Sequence, residues 1–202
     1  RCSIRERSFR RRGSISRQRA PPPVRLAPLG VLDESLLALV LANVRTPAER
    51  RGDLAAQQSA CRAGAAGWRA LRAREGIAHV DAGVSSLLDY SERRAVARLR
   101  ELGDLESEAE DFLEGDGVTD ALVPVRVRLR IRDGHLTLDF AGTSPRVRGN
   151  INCPVAVTRA AALFVLRAML DDDVPTNDGI ARPIEIITPD DCFIAARWPS
   201  AV

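Results

Sequence analysis

Between residues 125 and 140 apolar and polar side chains alternate with one interruption, and this stretch constrains the fold more than any other. Val125, Val127, Leu129 and Ile131 alternate with Arg126, Arg128, Arg130 and Arg132. Asp133-Gly134 interrupts the run, and Leu136, Leu138 and Phe140 then alternate with His135, Thr137 and Asp139. A period of two marks a strand with one face buried. Asp-Gly between two such runs is a preferred pair for a two-residue type I′ turn, because both turn positions need positive φ. A turn of that length fixes register. On the polar face it sets Arg132 opposite His135, Arg130 opposite Thr137 and Arg128 opposite Asp139. On the apolar face it sets Ile131 opposite Leu136, Leu129 opposite Leu138 and Val127 opposite Phe140. An ion pair between Arg128 and Asp139 is therefore expected in preference to a catalytic role for Asp139.

Helices are expected on both sides of the hairpin. Asp33 is placed to cap a helix carrying Leu36, Leu37, Val40 and Leu41 on one face. Thr46-Pro47-Ala48-Glu49 has the form of a capping box with proline at the first helical position, starting a second helix to about Glu75. Gly52, Gly64 and Gly67 interrupt that helix at about 1 kcal/mol each relative to Ala, so close packing of another element is the expected compensation. A third helix fits Ala82 to Leu102, with Val84, Leu87, Leu88, Ala95 and Leu99 inward and Gly103 at its end. Residues 101–120 hold nine acidic side chains and no basic one, the composition of a solvated loop. After the hairpin, Pro154 is placed to open a helix to about Leu170. It is apolar nearly all round and so expected to be buried. Asp171-Asp172-Asp173 closes it, and Ile184 to Thr188 reads as one more short strand.

The fold expected is thus mixed α/β (α+β): N-terminal helices, a β-hairpin, a buried helix and a short strand, forming a partial domain. Residues 1–20 read as a basic arm, disordered or not native to this fold, and Pro21-Pro22-Pro23 as a stiff boundary. Residues 21–118 form a mainly helical segment, and 119–202 a hairpin–helix–strand segment of the same domain.

Composition excludes several functions. All 30 basic residues are Arg, so the lysine required by a Walker-type phosphate loop or by Schiff-base chemistry is missing. The net charge of +3 hides an asymmetry: residues 1–20 contain eight Arg and one Glu, a net +7, leaving −4 for the remainder. A basic arm suits nucleic acid or an acidic membrane. The remainder has no basic stripe with interleaved aromatics, so no nucleic-acid partner is expected of the folded part. No run of about 18 apolar residues occurs and no signal peptide is readable, so no membrane partner is expected. The four Cys lack CxxC or Cys/His metal spacing. No metal site and reduced thiols in a cytoplasmic setting are the expectation. The chain begins at Arg1 and its only methionine is Met169, so it is expected to be an internal fragment.

The segment from Thr143 to Asn152 lies between a strand end and a helix start. A helix N-terminus offers unpaired N–H groups and partial positive charge, and two Arg and two hydroxyls lie just ahead of it. Such a place suits a carboxylate, phosphate or imide oxygen. Thr143, Arg148, Asn150 and Asn152 are the candidate substrate-binding residues. The alternative is an ordinary loop whose Asn and Ser side chains satisfy backbone groups. Cys153 would sit at the helix start, where a thiol pKa can fall. No His is placed to serve it as base, so a buried structural Cys is expected. The catalytic residues remain unassigned.

Four segments, in order and spacing, resemble the B-type subunit of the ATP-dependent hydantoinase/5-oxoprolinase family. They are NVRTPAERRGDLAAQ (43–57), EAEDFLEGDGV (108–118), HLTLDFAGTSPRVRGNINCPVAVTR (135–159) and ARPIEIITP (181–189). The resemblance covers roughly Pro21 to Val202. It implies a hydrolase subunit that opens cyclic amides such as hydantoins or 5-oxoproline within a hetero-oligomer. An A-type partner or fused domain would carry ATP and Mg, and no cofactor is implied for this chain. Relatives can hold a metal through a His/Asp cluster N-terminal to this region, and no matching cluster stands here. Related acetone and acetophenone carboxylases use similar subunits, so a carboxylase subunit is the alternative, and a non-catalytic fragment or pseudogene product the third reading. The chain departs from the pattern at Asp191, where the family tends to have Gly, and at Ala195, where it tends to have Asn, so a weakened turn is expected there. The fragment alone is expected to be inactive and, with apolar faces uncovered, poorly soluble or partner-dependent.

Overall fold

A computed structural model describes residues 24–44, 46–197 and 200. The basic arm, the Pro21–Pro23 boundary and Arg45 lie outside the described residues. The rest falls into two compact units, Pro21–Gly83 and Val84–Val202.

In the first unit, helix α1 spans Glu34–Ala42. The Asp33 carboxylate accepts from the amides of Ser35 and Leu36, each at 3.0 Å, pairing two of the N–H groups a helix start leaves free. Leu37 is its buried residue. Helix α2 spans Pro47–Glu75 and begins on proline as expected, yet the Thr46 hydroxyl makes no capping bond. No residue of α2 is buried, and the space beside Gly52, Gly64 and Gly67 is open. The close packing expected at those glycines is therefore absent within the described residues. Arg51 pairs with Glu34 at 2.8 Å, and the Arg62 guanidinium donates to the Gly30 carbonyl.

Helix α3 spans Ile77–Glu101 and crosses the division between the units. It begins at Ile77 rather than Ala82. Of the expected inward residues, Ala95 and Leu99 are buried, Leu88 is half-buried, and Val84 and Leu87 are exposed. In the N-terminal half Val80 is buried, whereas the residues expected inward there, Val84 and Leu87, are not.

The second unit is built on a four-stranded sheet in the order β1 (Leu105–Leu113), β2 (Val123–Arg132), β3 (His135–Asp139) and β4 (Ile184–Ile187). β2 and β3 form the expected hairpin with Arg132↔His135, Arg130↔Thr137, Arg128↔Asp139, Ile131↔Leu136 and Leu129↔Leu138 in register. The turn residues Asp133 and Gly134 have φ of 50° and 79°, as a type I′ turn demands. A Cβ on Gly134 would also fall 2.8 Å from the Val96 side chain, because the turn presses on α3. The ladder ends at Asp139, so Val127 and Phe140 do not pair. The Phe140 amide donates instead to the Ile187 carbonyl at 2.9 Å. β4 runs parallel to β3, which requires a crossover. Helix α4, Val155–Met169, supplies it.

Two expectations are overturned here. Residues 105–113, read as part of a solvated acidic loop, form strand β1 antiparallel to β2. Its Glu110, Glu108 and Glu106 stand opposite Arg126, Arg128 and Arg130, with ion-pair distances of 2.8, 2.6 and 3.4 Å. The acidic run is the countercharge of the arginine row. Opposite charges directly across a ladder favour that pairing over others. Accordingly Arg128 takes Glu108 as its ion-pair partner rather than Asp139, whose carboxylate accepts from the Ala141 amide at 2.9 Å.

The second correction concerns α4. Its buried residues are Thr158 and Leu166, while Phe164 is 75% and Val165 59% exposed. One stripe of this apolar helix packs on the short turns Asp178–Ala181 and Phe193–Ala195, and another meets solvent. A groove of about 670 Å³ opens between α4 and the apolar face of the sheet, lined among others by Val127, Leu129, Val157, Ala161 and Val165. The uncovered apolar surface expected from the sequence is thus present, on the helix expected to be buried and on the sheet face beside it.

Ala95, Leu99, Ile131, Leu136, Leu166, Leu170, Val174 and Ile180 form one core. Val123, Cys192, Phe193, Ile194 and Ala195 form a second. The acidic triplet after α4 is tied to α3, Arg94 pairing with Asp171 at 2.6 Å and Asp173 at 3.0 Å.

Candidate functional site

The segment 139–154 leaves the sheet at the end of β3 and enters α4. Where β3 runs out, the Thr143 hydroxyl takes the place of a strand neighbour. It donates to the Arg126 carbonyl at 2.9 Å and accepts from the Arg126 amide at 3.0 Å, so no backbone group of β2 is orphaned there. The Ser144 amide donates to the Pro124 carbonyl at 2.9 Å. Pro145 bridges to Cys192, and the Arg146 amide donates to the Asp191 carbonyl at 3.0 Å. Cys153 then accepts from Ala196 and donates to Phe193 through its backbone. The segment from Asp191 to Ala196 is therefore a second wall holding the loop against the start of α4.

The crest of this loop is Val147 to Asn152. Asn152 is buried. Its side-chain oxygen accepts from the Val147 amide at 2.9 Å, and its side-chain nitrogen donates to the carbonyls of Val147 and Gly149 at 3.1 and 2.9 Å. From the other side comes Asp116, also buried. One carboxylate oxygen accepts from the amides of Val118 and Thr119 at 2.9 and 2.7 Å. The other accepts from the amides of Arg148 and Gly149 at 3.1 and 2.9 Å. These bonds, led by those from Thr119 and Val118, stabilise the anion and hold the Asp116 carboxyl down at about 2. The two backbones touch: a Cβ on Gly149 would lie 1.5 Å from the Asp116 carbonyl oxygen.

The four candidate residues thus divide in two. Thr143 and Asn152 are buried and engaged with the backbone, while Arg148 and Asn150 are exposed. Arg146, beside them, pairs with Asp191 at 3.5 Å. Cys153 is half-buried. Cys192 is buried, and desolvation pushes its thiol pKa up. Neither Asp116 nor Gly149 was assigned a role from the sequence, although both lie in segments that carry the family resemblance. Their meeting depends on how two distant loops fold together. The one local signal was the small residue beside Arg148. Among the described residues no group of three or more His, Cys, Asp or Glu is arranged to hold a metal ion. No helix among them is long and apolar enough to cross a membrane.

The profile of the Hydantoinase B/oxoprolinase family matches residues 20–202, and the chain belongs to that family. It is 33% identical over 181 residues to an uncharacterized protein of Methanocaldococcus jannaschii, covering 90% of this chain and 31% of that one. It is 37% identical over 95 residues to 5-oxoprolinase 1 of Arabidopsis thaliana, covering 47% of this chain and 7% of the relative. It is 28% identical over 167 residues to the caprolactamase subunit beta of Pseudomonas jessenii, covering 82% and 28%. The crystal structure of the ATP-dependent caprolactamase from Pseudomonas jessenii shares the fold, with a TM-score of 0.72 at 23% identity over 93% of this chain and 32% of that one. The chain spans less than a third of the length of these relatives.

Proposed function

We propose that this chain is part of the B-type subunit of a cytoplasmic, ATP-dependent enzyme that opens cyclic amides such as hydantoins or 5-oxoproline. An A-type partner binds ATP and Mg. The lactam oxygen is phosphorylated there and the activated ring is then hydrolysed. The observation that carries this reading is the family match across residues 20–202, which takes in the whole loop from Thr143 to Asn152. Relatives named for 5-oxoproline and caprolactam support the class of substrate, and one named as a subunit supports a division of labour. With no lysine in the chain, a separate nucleotide-binding partner is consistent with the composition.

Within that enzyme the loop crest contacts substrate or a neighbouring subunit. Arg148 and Asn150 are its exposed polar side chains. Both suit an anionic or imide oxygen, the guanidinium by charge-assisted hydrogen bonds and the amide by a neutral one. Thr143 and Asn152 hold the backbone that carries them. The test is to co-express the intact subunit with its A-type partner and to assay ATP hydrolysis dependent on 5-oxoproline or hydantoin. Arg148→Ala and Asn150→Ala should each lower kcat/KM about tenfold or more, equivalent to about 1.4 kcal/mol of transition-state binding. Unchanged turnover in both variants removes the crest from the site.

A further inference from the structure

The loop that presents Arg148 and Asn150 is closed twice over, and the two closures differ. Asn152 closes it from within: three hydrogen bonds from one side chain tie Val147 and Gly149 to the residue that precedes Cys153. That alone makes a compact turn. The second closure comes from outside. Asp116 lies thirty-two residues before Arg148 and belongs to the loop joining β1 to β2. Of the crest residues, its carboxylate reaches the backbone amides of Arg148 and Gly149. Its other oxygen is held by Val118, Thr119 and the Thr119 hydroxyl. The carboxylate cannot swing away from the crest without breaking its own turn. The approach is so close that only glycine fits at 149.

We propose that Asp116 is the positioning residue of the crest, fixing two consecutive amides so that the Arg148 and Asn150 side chains leave the loop in defined directions. This rests on the reading that the crest contacts substrate or a neighbouring subunit. Asp116 touches neither and acts through the backbone of Arg148 and Gly149. Two amide donors on one carboxylate oxygen fix both the position and the rotation of a peptide segment, which a single bond does not. A mere filler of the β1–β2 loop would satisfy its own turn and leave Arg148 and Gly149 to water.

Asp116→Asn is the diagnostic change. It keeps size and shape, but whichever way the amide turns, an NH2 group faces backbone N–H donors, either at Val118 and Thr119 or at Arg148 and Gly149. The comparison variant is Asn177→Ala, in a different loop, which removes the hydrogen bond that its side-chain nitrogen donates to the Ser91 hydroxyl and the one that its side-chain oxygen accepts from the Gly179 amide. Both are made in the intact subunit with its partner. Three quantities are read: melting temperature, hydrogen exchange of the peptide covering 146–152, and KM and kcat with 5-oxoproline and hydantoin. Asp116→Asn, or Asp116→Ala where the Asn oxygen still faces the crest, should speed exchange at Arg148 and Gly149 about tenfold or more and change KM or kcat about three- to tenfold. Asn177→Ala, at a comparable loss of melting temperature, should leave both near wild type.

Unchanged exchange at the crest in both Asp116→Asn and Asp116→Ala, the second of which leaves no acceptor for the amides of Arg148 and Gly149, overturns the proposal, whatever the activity. Faster exchange with unchanged kinetics also overturns it, since the crest would then be ordered for no catalytic purpose. Equal kinetic losses in Asn177→Ala and Asp116→Asn reduce Asp116 to a stability residue and overturn it too. If the wild-type complex opens no cyclic amide, the functional reading falls. The positioning role is then decided by the exchange of Arg148 and Gly149 alone.

Discussion

Replacing Gly149 by Ala adds one methyl group at the tightest backbone contact in the loop. The new Cβ would lie 1.5 Å from the Asp116 carbonyl oxygen and 2.6 Å from its carbon. Ordinary contact needs about 3.5 Å, so the two segments must part by about 2 Å. Hydrogen bonds that now measure 2.9 and 3.1 Å from the amides of Gly149 and Arg148 would then exceed hydrogen-bonding range. Both groups that clash are backbone, so no side-chain rotation relieves it. Overpacking of this kind costs about 1–3 kcal/mol, and more where the backbone must move. For a unit of this size about 4 °C is lost per kcal/mol, so the melting transition should fall by about 4–12 °C. Hydrogen exchange of the 146–152 peptide should rise with it. A Gly149→Ala protein that melts within a degree of wild type with unchanged exchange refutes the close contact and the loop geometry built on it.

Other consequences follow from the same geometry. Gly52, Gly64 and Gly67 lie in an exposed helix with open space around them, so each change to Ala should raise stability by about 0.5–1 kcal/mol in denaturant titration. Destabilisation would show that something packs there. Asp191 holds φ of 54°. Asp191→Gly should be nearly neutral, since relief of about 1 kcal/mol is offset by the entropy of glycine and the lost pairing with Arg146, whereas Asp191→Val should cost about 1–2 kcal/mol. Equal stabilities of the two variants would contradict this. The Asp116 carboxyl titrates at about 2 in the folded chain against an ordinary 3.8. Because the folded value is the lower one, its contribution is complete above about pH 4 and is lost as pH falls toward 2. The stability difference between wild type and Asp116→Asn should therefore narrow across that window in urea melts, and a constant difference would contradict it. Phe164→Ser, on the exposed stripe of α4, should raise the soluble yield of the chain while changing its stability by about 0.5 kcal/mol or less.

The hairpin was legible because its determinants are local. Alternation sets the faces, Asp133-Gly134 sets the turn, and together they fix the register. β1 was missed because its apolar-face positions hold Ser107, Ala109 and Asp111 between two leucines, so the period-two signal disappears beneath its charge. What makes it a strand is the arginine row of β2. Four alternating arginines on one strand face call for countercharge, and the acidic segment lies next to them in the chain. The error on α4 was of a different kind. An all-apolar helix implies burial only if something covers both sides, and a sequence does not state what covers it. At the candidate site, the position of the loop between strand and helix was readable. The separation of its residues into buried backbone ties, Thr143 and Asn152, and exposed side chains, Arg148 and Asn150, was not. It depends on long-range contacts with Arg126, Asp116 and Asp191, which no spacing encodes.

The proposed function is best tested by measuring ADP and ring-opened product together in the intact subunit combined with the proposed A-type partner. Hydantoin, 5-oxoproline and caprolactam would be supplied singly, with and without bicarbonate. The account predicts ADP formation that depends on a cyclic amide, matches the opened product mole for mole, and is indifferent to bicarbonate. Turnover that requires bicarbonate and a ketone, or ATP hydrolysis unaffected by every cyclic amide, would contradict it.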